Sequence, residues 1–140
     1  MEDDRLTKMD ERDKAMRSAR DVILRRVGAW LSSKSFDRAG VGHFTRTQSS
    51  ILCHIGFQKL SSGRGVRVTC SITSGTSADS SIPGPWSDAY ERPGSPNGKK
   101  YDFGWSTRET DITKCADEYC RYIEDVVLTW FSDQAAKTKA

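Results

Sequence analysis

The sequence lacks any long apolar segment. No run of about 18 or more apolar residues occurs, so no transmembrane helix is predicted. The first residues, Met1 to Arg5, are mostly acidic and contain no apolar stretch of the kind that a signal peptide requires. We therefore predict a cytoplasmic protein with no membrane partner. A length of 140 residues with 36% hydrophobic content predicts one domain, residues 1–140.

Histidine and cysteine are also few. The chain has two histidines, His43 and His54, and four cysteines. Zinc sites need closely spaced ligand pairs, and Cys115 and Cys120 have no histidine near them in sequence, so no metal or other cofactor is predicted. We interpret the cysteines as reduced, buried thiols. Cys53 precedes His54, but neighbouring residues of a strand point to opposite faces, and no serine adjoins either histidine. This predicts no catalytic residue and favours a protein that is not an enzyme.

Two neighbouring segments carry the alternation that is typical of β-strands. Apolar residues occupy the odd positions from Ile51 to Phe57 and the even positions from Val66 to Ile72. Because the side chains of a strand alternate between its faces, each segment has one apolar and one polar face. The glycines and serines between the two segments predict a loop that joins them as an antiparallel pair.

Three shorter segments complete the predicted sheet. Residues 36–38 and 43–47 are strand candidates, and the glycines at residues 39–42 predict a turn between them. Phe44 is expected to point inward. Residues 101–105 are expected to return as a short edge strand.

Helical periodicity flanks the sheet on both sides. One amphipathic helix is predicted from about residue 8 to residue 33. A second is predicted to begin at a capping box formed by Ser106 and Glu109 and to end near residue 130 or 133. The predicted fold class is therefore α+β: a two-layer sandwich in which the amino- and carboxy-terminal helices pack on one face of an antiparallel sheet of about four or five strands. The other face of the sheet remains open.

Residues 74–100 form a long segment rich in proline, glycine and serine. A loop of this length usually has its own packing or a function. We predict an ordered excursion whose apolar anchors include Trp86 and Tyr90. The two ends of the chain, residues 1–8 and 134–140, are expected to be flexible.

The open polar face suggests a ligand site. Its candidate ligand-binding residues are Arg46, His54, Gln58 and Arg67. Two arginines beside a histidine and an amide could hold a phosphate, a carboxylate or another anion. The alternative is that these are solvated sheet residues with cross-strand partners.

Charge is segregated along the chain. The predicted sheet region is basic, whereas the last helix is acidic. An acidic helix face could meet a basic protein surface, and the long loop offers exposed contacts. The candidate partner-binding residues are Trp86, Tyr90, Asp117, Glu118, Glu124 and Asp125. The alternative is two ordinary solvated faces.

Several short segments resemble a known family. They are Trp30-Leu31, Ser35-Phe36, Phe44-Thr45-Arg46, Ile55-Gly56-Phe57-Gln58-Lys59, Val66 to Ile72, Arg92-Pro93-Gly94, Trp105 and Trp130-Phe131. From about Ala15 to Phe131 the chain is similar to a family of small bacterial proteins catalogued as domain of unknown function 4304, although Ser35 replaces the usual glycine. The resemblance implies an α+β domain with no established activity. Some small bacterial domains of this general kind are immunity proteins.

Two functional hypotheses follow. The first is a non-enzymatic protein-binding domain, with a bacterial immunity protein that neutralises a cognate toxin as its specific case. The second is a small anionic-ligand binder, or a minor enzyme, that uses the open sheet face. Nucleic acid is not the predicted partner, because an RNA platform would present aromatic side chains on the open face, whereas Phe44 and Phe57 are expected to point inward.

Overall fold

The computed structural model describes residues 2–60, 65–74, 81–87 and 101–139, with side chains described in these ranges from residue 11 to residue 137. The helices are α1 (Glu2–Ser33), α2 (Glu109–Tyr122) and α3 (Leu128–Lys139), with a π-helical turn (Ile123–Val127) between the last two. The strands are β1 (Asp37–Gly40), β2 (His43–Gln48), β3 (Ile51–Lys59), β4 (Val66–Ser74) and β5 (Ser81–Pro83). The order of elements confirms the predicted α+β class.

The strands form one antiparallel sheet in the order β1-β2-β3-β4-β5. In β3 and β4 the predicted alternation is confirmed: the side chains of Ile51, Ile55, Val68 and Ile72 are each at most 2% exposed. The β3–β4 register pairs Ile55 with Cys70, so the apolar rows of the two strands lie side by side. Pairing in register places every alternate residue on the opposite, polar face.

The helices cover the apolar face of the sheet. Buried residues from α1, the sheet and the carboxy-terminal helices form one hydrophobic cluster. From α1 the cluster includes Ile23, Val27 and Leu31, which recur at the spacing of one helix face. The two-layer sandwich is thereby confirmed. None of the described helices has a stretch of length and hydropathy sufficient to cross a bilayer.

The helices extend further than predicted. α1 begins at Glu2, and α3 continues to Lys139. Between α2 and α3 the hydrogen bonding widens by one residue, so that the Leu128 N–H donates to the Ile123 carbonyl oxygen. The side chains of Ile123, Val127 and Phe131 nevertheless all stay buried.

The predicted capping box at the start of α2 is wrong. Arg108 occupies the N-cap position and makes no side-chain cap. The Ser106 hydroxyl accepts a hydrogen bond from the Arg108 N–H at 3.1 Å and donates one to Asp111. Glu109 pairs with Arg26 of α1 rather than turning back to the helix end. Contact with a second helix therefore replaces the local cap.

The end of α1 is a tight reversal at Ser35. The Phe36 N–H donates to the Leu31 carbonyl oxygen at 3.0 Å, and the Ser35 N–H donates to Ser32 at 3.1 Å. These two bonds define a Schellman motif, which requires a left-handed residue after the helix. Ser35 takes that conformation with a φ of 70°, and Phe36 and Leu31 are both buried beside it.

The predicted edge strand at residues 101–105 is wrong, because the chain there packs against helices. The Asp102 N–H donates to Glu118 of α2 at 3.0 Å. Phe103 is 1% exposed and stacks on Tyr119 with ring centroids 4.3 Å apart. The Trp105 indole N–H donates to the Met16 carbonyl oxygen of α1. This segment therefore contributes to the core rather than to the sheet.

The edge of the sheet is instead formed by residues 81–87. After β5, the Gly84 N–H donates to the Cys70 carbonyl oxygen at 2.9 Å. Ser87 then exchanges two bonds with Val68, one through its backbone N–H at 2.9 Å and one through its hydroxyl at 2.8 Å. Ser87 is fully buried. Part of the predicted loop is thus an ordered sheet edge, while Tyr90 lies outside the described residues.

Candidate binding face

The sheet face opposite the helices presents mostly polar side chains. The residues on it, read from the register, are Asp37 of β1, His43, Thr45 and Thr47 of β2, Leu52, His54, Gly56 and Gln58 of β3, Arg67, Thr69, Ser71 and Thr73 of β4, and Ser81 and Pro83 of β5. Within the described chain no helix covers this surface, which we call the open face. It contains a groove of about 670 Å³ that is lined by both histidines and by the hydroxyl groups of β4.

The two histidines form the best-defined contact of the open face. His43 Nε2 lies 3.1 Å from His54 Nδ1, and the rings stack with centroids 5.3 Å apart. His54 Nε2 lies 2.9 Å from the Thr73 hydroxyl oxygen. Gly56, opposite His43, has no side chain, and a Cβ there would lie 2.8 Å from the Thr69 hydroxyl oxygen. Diagonal cross-strand contacts of this kind tie β2, β3 and β4 together.

The environment of His54 disfavours its charged form. Partial burial and then the neighbouring His43 lower the pKa of His54 below its ordinary value of 6.5. At neutral pH the His54 imidazole is therefore uncharged and acts as a hydrogen-bonding group. This weakens the prediction of an anion site, because the open face then relies on Arg67 for its positive charge.

Arg67 is paired with an exposed aromatic ring. Its guanidinium carbon lies 4.7 Å from the centroid of the Trp86 indole, within the range of a cation–π contact. Trp86 is 59% exposed, so the indole is a platform on the surface rather than the apolar anchor that was predicted. The Arg67 Nε atom is buried and has no hydrogen-bond partner among the described residues.

Arg46 does not belong to the open face, and the prediction that placed it there is wrong. It pairs with Cys53 in the register and so shares the helix-covered face with Phe44. Its guanidinium lies 4.5 Å from the Phe36 ring centroid and donates to the Lys34 carbonyl oxygen at 2.9 Å. Arg46 thus fastens the end of α1 to the sheet. Of the four predicted ligand residues, His54, Gln58 and Arg67 remain on the open face.

The contact between His54 and Thr73 was missed by sequence reasoning, which looked for a nucleophile only beside each histidine. A hydroxyl, a histidine and a second histidine in a chain resemble the order nucleophile, base and orienting group. The third member is here an imidazole rather than a carboxylate, and the N–H groups around Thr73 belong to the sheet ladder. The geometry is therefore that of a cross-strand hydrogen-bond network.

Three of the four cysteines agree with their interpretation as buried, unpaired thiols, and Cys120 is half-buried. All four are free, and Cys53, Cys70 and Cys115 are buried. Burial raises the pKa of Cys53 to about 11 and that of Cys115 to about 12, so neither is a thiolate at neutral pH. Among the described residues no three His, Cys, Asp or Glu side chains come together as metal ligands.

The acidic candidate residues lie on the helical layer, away from the open face. Two of them have partners within the chain: Glu118 accepts from Arg121 at 2.9 Å and from a backbone N–H, and Asp125 accepts from the Tyr101 hydroxyl at 2.9 Å. Asp117 and Glu124 are exposed and line a hollow between α1 and α2 of about 340 Å³. The structure therefore does not bring Trp86 and these acids into one surface.

No protein-family model, curated protein or solved structure matches this chain. The resemblance to the domain of unknown function 4304 family stays a prediction. The case for a function therefore depends on the geometry of the open face.

Proposed function

We propose that this chain is a non-enzymatic protein-binding domain whose partner docks on the open face. The contact between Arg67 and the exposed Trp86 is the observation that supports this function most directly. Tryptophan and arginine are the residues most enriched among those that dominate binding energy at protein interfaces. Here the guanidinium holds the indole in place at 4.7 Å, which lowers the entropy lost on binding.

The surroundings of this pair have the composition of an interface. Leu52 is 36% exposed on the same face, and Gln58 is the register partner of Arg67. Hydroxyl groups and the uncharged His54 supply donors and acceptors without a large charge that would have to be desolvated. An apolar anchor with a polar surround is typical of specific protein interfaces.

The specific case that we propose is a bacterial immunity protein that neutralises a toxin. It is supported by the family resemblance and by the lack of a complete nucleophilic site among the described residues. The toxin would bind the open face, over the contact between Arg67 and Trp86. The alternative of a small anionic ligand has less support, since Arg46 lies on the other face and His54 is uncharged at neutral pH.

The test uses the protein product of the gene adjacent to this one as the candidate toxin. Binding of the full chain to that product is measured by isothermal titration calorimetry, and growth of cells that express both is recorded. We expect Trp86→Ala and Arg67→Ala each to weaken binding by about thirtyfold or more, the effect of losing an interface residue worth about 2 kcal/mol.

Arg17→Ala is the matched control, because Arg17 is an exposed arginine on α1, outside the open face. Circular dichroism and thermal unfolding establish that each variant folds. If no neighbouring product binds, affinity capture from a native lysate of the source organism tests the wider proposal. A captured protein that is retained equally by wild type, Trp86→Ala and Arg67→Ala would show that the open face is not the interface, and no captured protein would count against protein binding itself.

A further inference from the structure

A second concave surface lies between α1 and the strands β1, β2 and β3. This groove has a volume of about 680 Å³, within the size range of small-molecule sites. Apolar residues form its floor, and its charged residues stand at the rim. We call it the α1 groove; its floor comprises Leu24, Gly28, Phe44 and Phe57, whereas Ala29 and Val41 are exposed at its rim.

The floor of the α1 groove is shaped by a glycine and two aromatic rings. A Cβ at Gly28 would lie 3.1 Å from Phe44 Cζ, so the missing side chain lets the ring lie against α1. Phe57 meets Phe44 edge-on with centroids 6.0 Å apart. Phe57 stays half-buried, whereas Ile51, Cys53 and Ile55 of the same strand row are buried. The helix therefore leaves apolar surface uncovered at this end of the sheet.

The rim of the α1 groove has an excess of positive charge. Arg25, Arg38 and Lys59 stand around it together with one acid, Asp21. Asp21 is already paired with Lys59 at 3.4 Å and with Arg20 at 3.3 Å. Neither Arg25 nor Arg38 forms an ion pair with any residue that the structure describes. Arg38 makes only a long bond, 3.4 Å, to the Gly40 carbonyl oxygen of its own strand.

We propose that the α1 groove binds an anionic amphiphile, a molecule with an aliphatic chain and one carboxylate head group. The chain would cover Leu24, Phe44 and Phe57, which gains the free energy of burying apolar surface. The carboxylate would lie between Arg25 and Arg38, whose guanidinium groups form no ion pair within the described chain and could donate paired hydrogen bonds to it. A neutral amphiphile would leave both cations unpaired, and a cationic one would be repelled.

The experiment compares decanoate, decanol and decylamine, which share one chain length and differ in head group. Binding of each to the full chain is measured by calorimetry at neutral pH and low salt. We expect decanoate to bind at least tenfold more tightly than decanol, since a charge-assisted bond is worth about that factor. Decylamine is expected not to bind. Hexanoate, which covers less of the floor, is expected to bind more weakly than decanoate.

Variants distinguish this site from adventitious binding. Arg25→Glu and Arg38→Glu should each weaken decanoate binding by about tenfold or more, whereas Arg17→Glu on the exposed side of α1 should change it little. Ala29→Trp should fill the groove and abolish binding while the protein still unfolds cooperatively. The proposal is wrong if decanol binds as tightly as decanoate, or if Arg17→Glu weakens binding as much as Arg25→Glu. Trp86→Ala should leave decanoate binding unchanged, which separates this site from the protein-binding function of the open face.

Discussion

Replacing Ser35 by glycine should stabilise the protein, although it removes atoms. Ser35 closes α1 with a φ of 70°, in the left-handed region that a side chain with a Cβ rarely adopts. The position cannot relax to a negative φ, because the bonds from Phe36 to Leu31 and from Ser35 to Ser32 fix the reversal. The Ser35 side chain is exposed and has no hydrogen bond within the described chain, so its removal sacrifices no contact.

The size of the effect follows from two opposing terms. Holding a residue with a Cβ in the left-handed region costs about 1–2 kcal/mol. Glycine gives the unfolded chain more freedom, which costs about 0.4–1 kcal/mol in stability. The net gain for Ser35→Gly is therefore about 0.5–1 kcal/mol. For a domain of this length that is a rise in melting temperature of about 2–4 °C.

The assay is reversible unfolding in urea followed by circular dichroism, with thermal melts in parallel. Ser32→Gly is the matched control, since it makes the same chemical change three positions earlier, inside the last turn of α1. There glycine should destabilise the protein by about 0.5–1 kcal/mol. A gain in stability for Ser35→Gly together with a loss for Ser32→Gly would show that the left-handed conformation of Ser35 costs free energy. A Ser35→Gly variant that loses as much stability as Ser32→Gly would refute it.

Three further perturbations test the packing and the open face. Gly84→Ala should cost about 1–3 kcal/mol in a urea titration, because the new Cβ would lie 2.6 Å from the Trp130 ring. Tyr119→Phe should lower the free energy of unfolding by about 1–3 kcal/mol, because the Tyr119 hydroxyl donates at 2.9 Å to a buried β4 carbonyl oxygen that would be left unpaired. An unchanged free energy of unfolding would contradict this hydrogen bond. Burial and His43 lower the pKa of His54, so the unfolded chain binds more protons there, and stability should fall as pH drops below about 6.5. In the His54→Gln variant that fall should be smaller. A pH profile identical to that of the wild type would contradict the lowered pKa of His54.

The fold was predictable where one pattern was decisive. The alternation in β3 and β4 and the helical periodicity of α1 fixed which residues are buried, and the structure confirms both. The sheet edge was not predictable in the same way. Two short segments bounded by loop-like sequence, residues 101–105 and 81–83, could each have formed the edge strand. Phe103 stacks on Tyr119, and this contact holds the first segment against the helices instead. That contact joins distant parts of the chain and leaves no local signal.

The composition of the candidate site was predictable only in part. Arg46 was placed on the open face although Phe44, two residues earlier, was expected to point inward. Because the strand period is two, residues 44 and 46 share a face, so the signal for a correct placement was present. The pairing of Arg67 with Trp86 was different. It depends on β5 continuing along β4 through Ser87, which no sequence pattern specifies.

The segregation of charge has a structural explanation that does not require a partner at the acidic helix. Glu118 and Asp125 hold the segment from residue 101 onto α2, through the Asp102 N–H and the Tyr101 hydroxyl. These bonds use one oxygen of each carboxylate, Oε2 of Glu118 and Oδ2 of Asp125, so both acids already have a role in holding this segment on α2. Arg67 is different, because its guanidinium contacts the Trp86 indole, which is 59% exposed and therefore within reach of a partner. An exposed aromatic ring that is held by a cation, rather than the density of charge, is therefore the better guide to where this molecule binds.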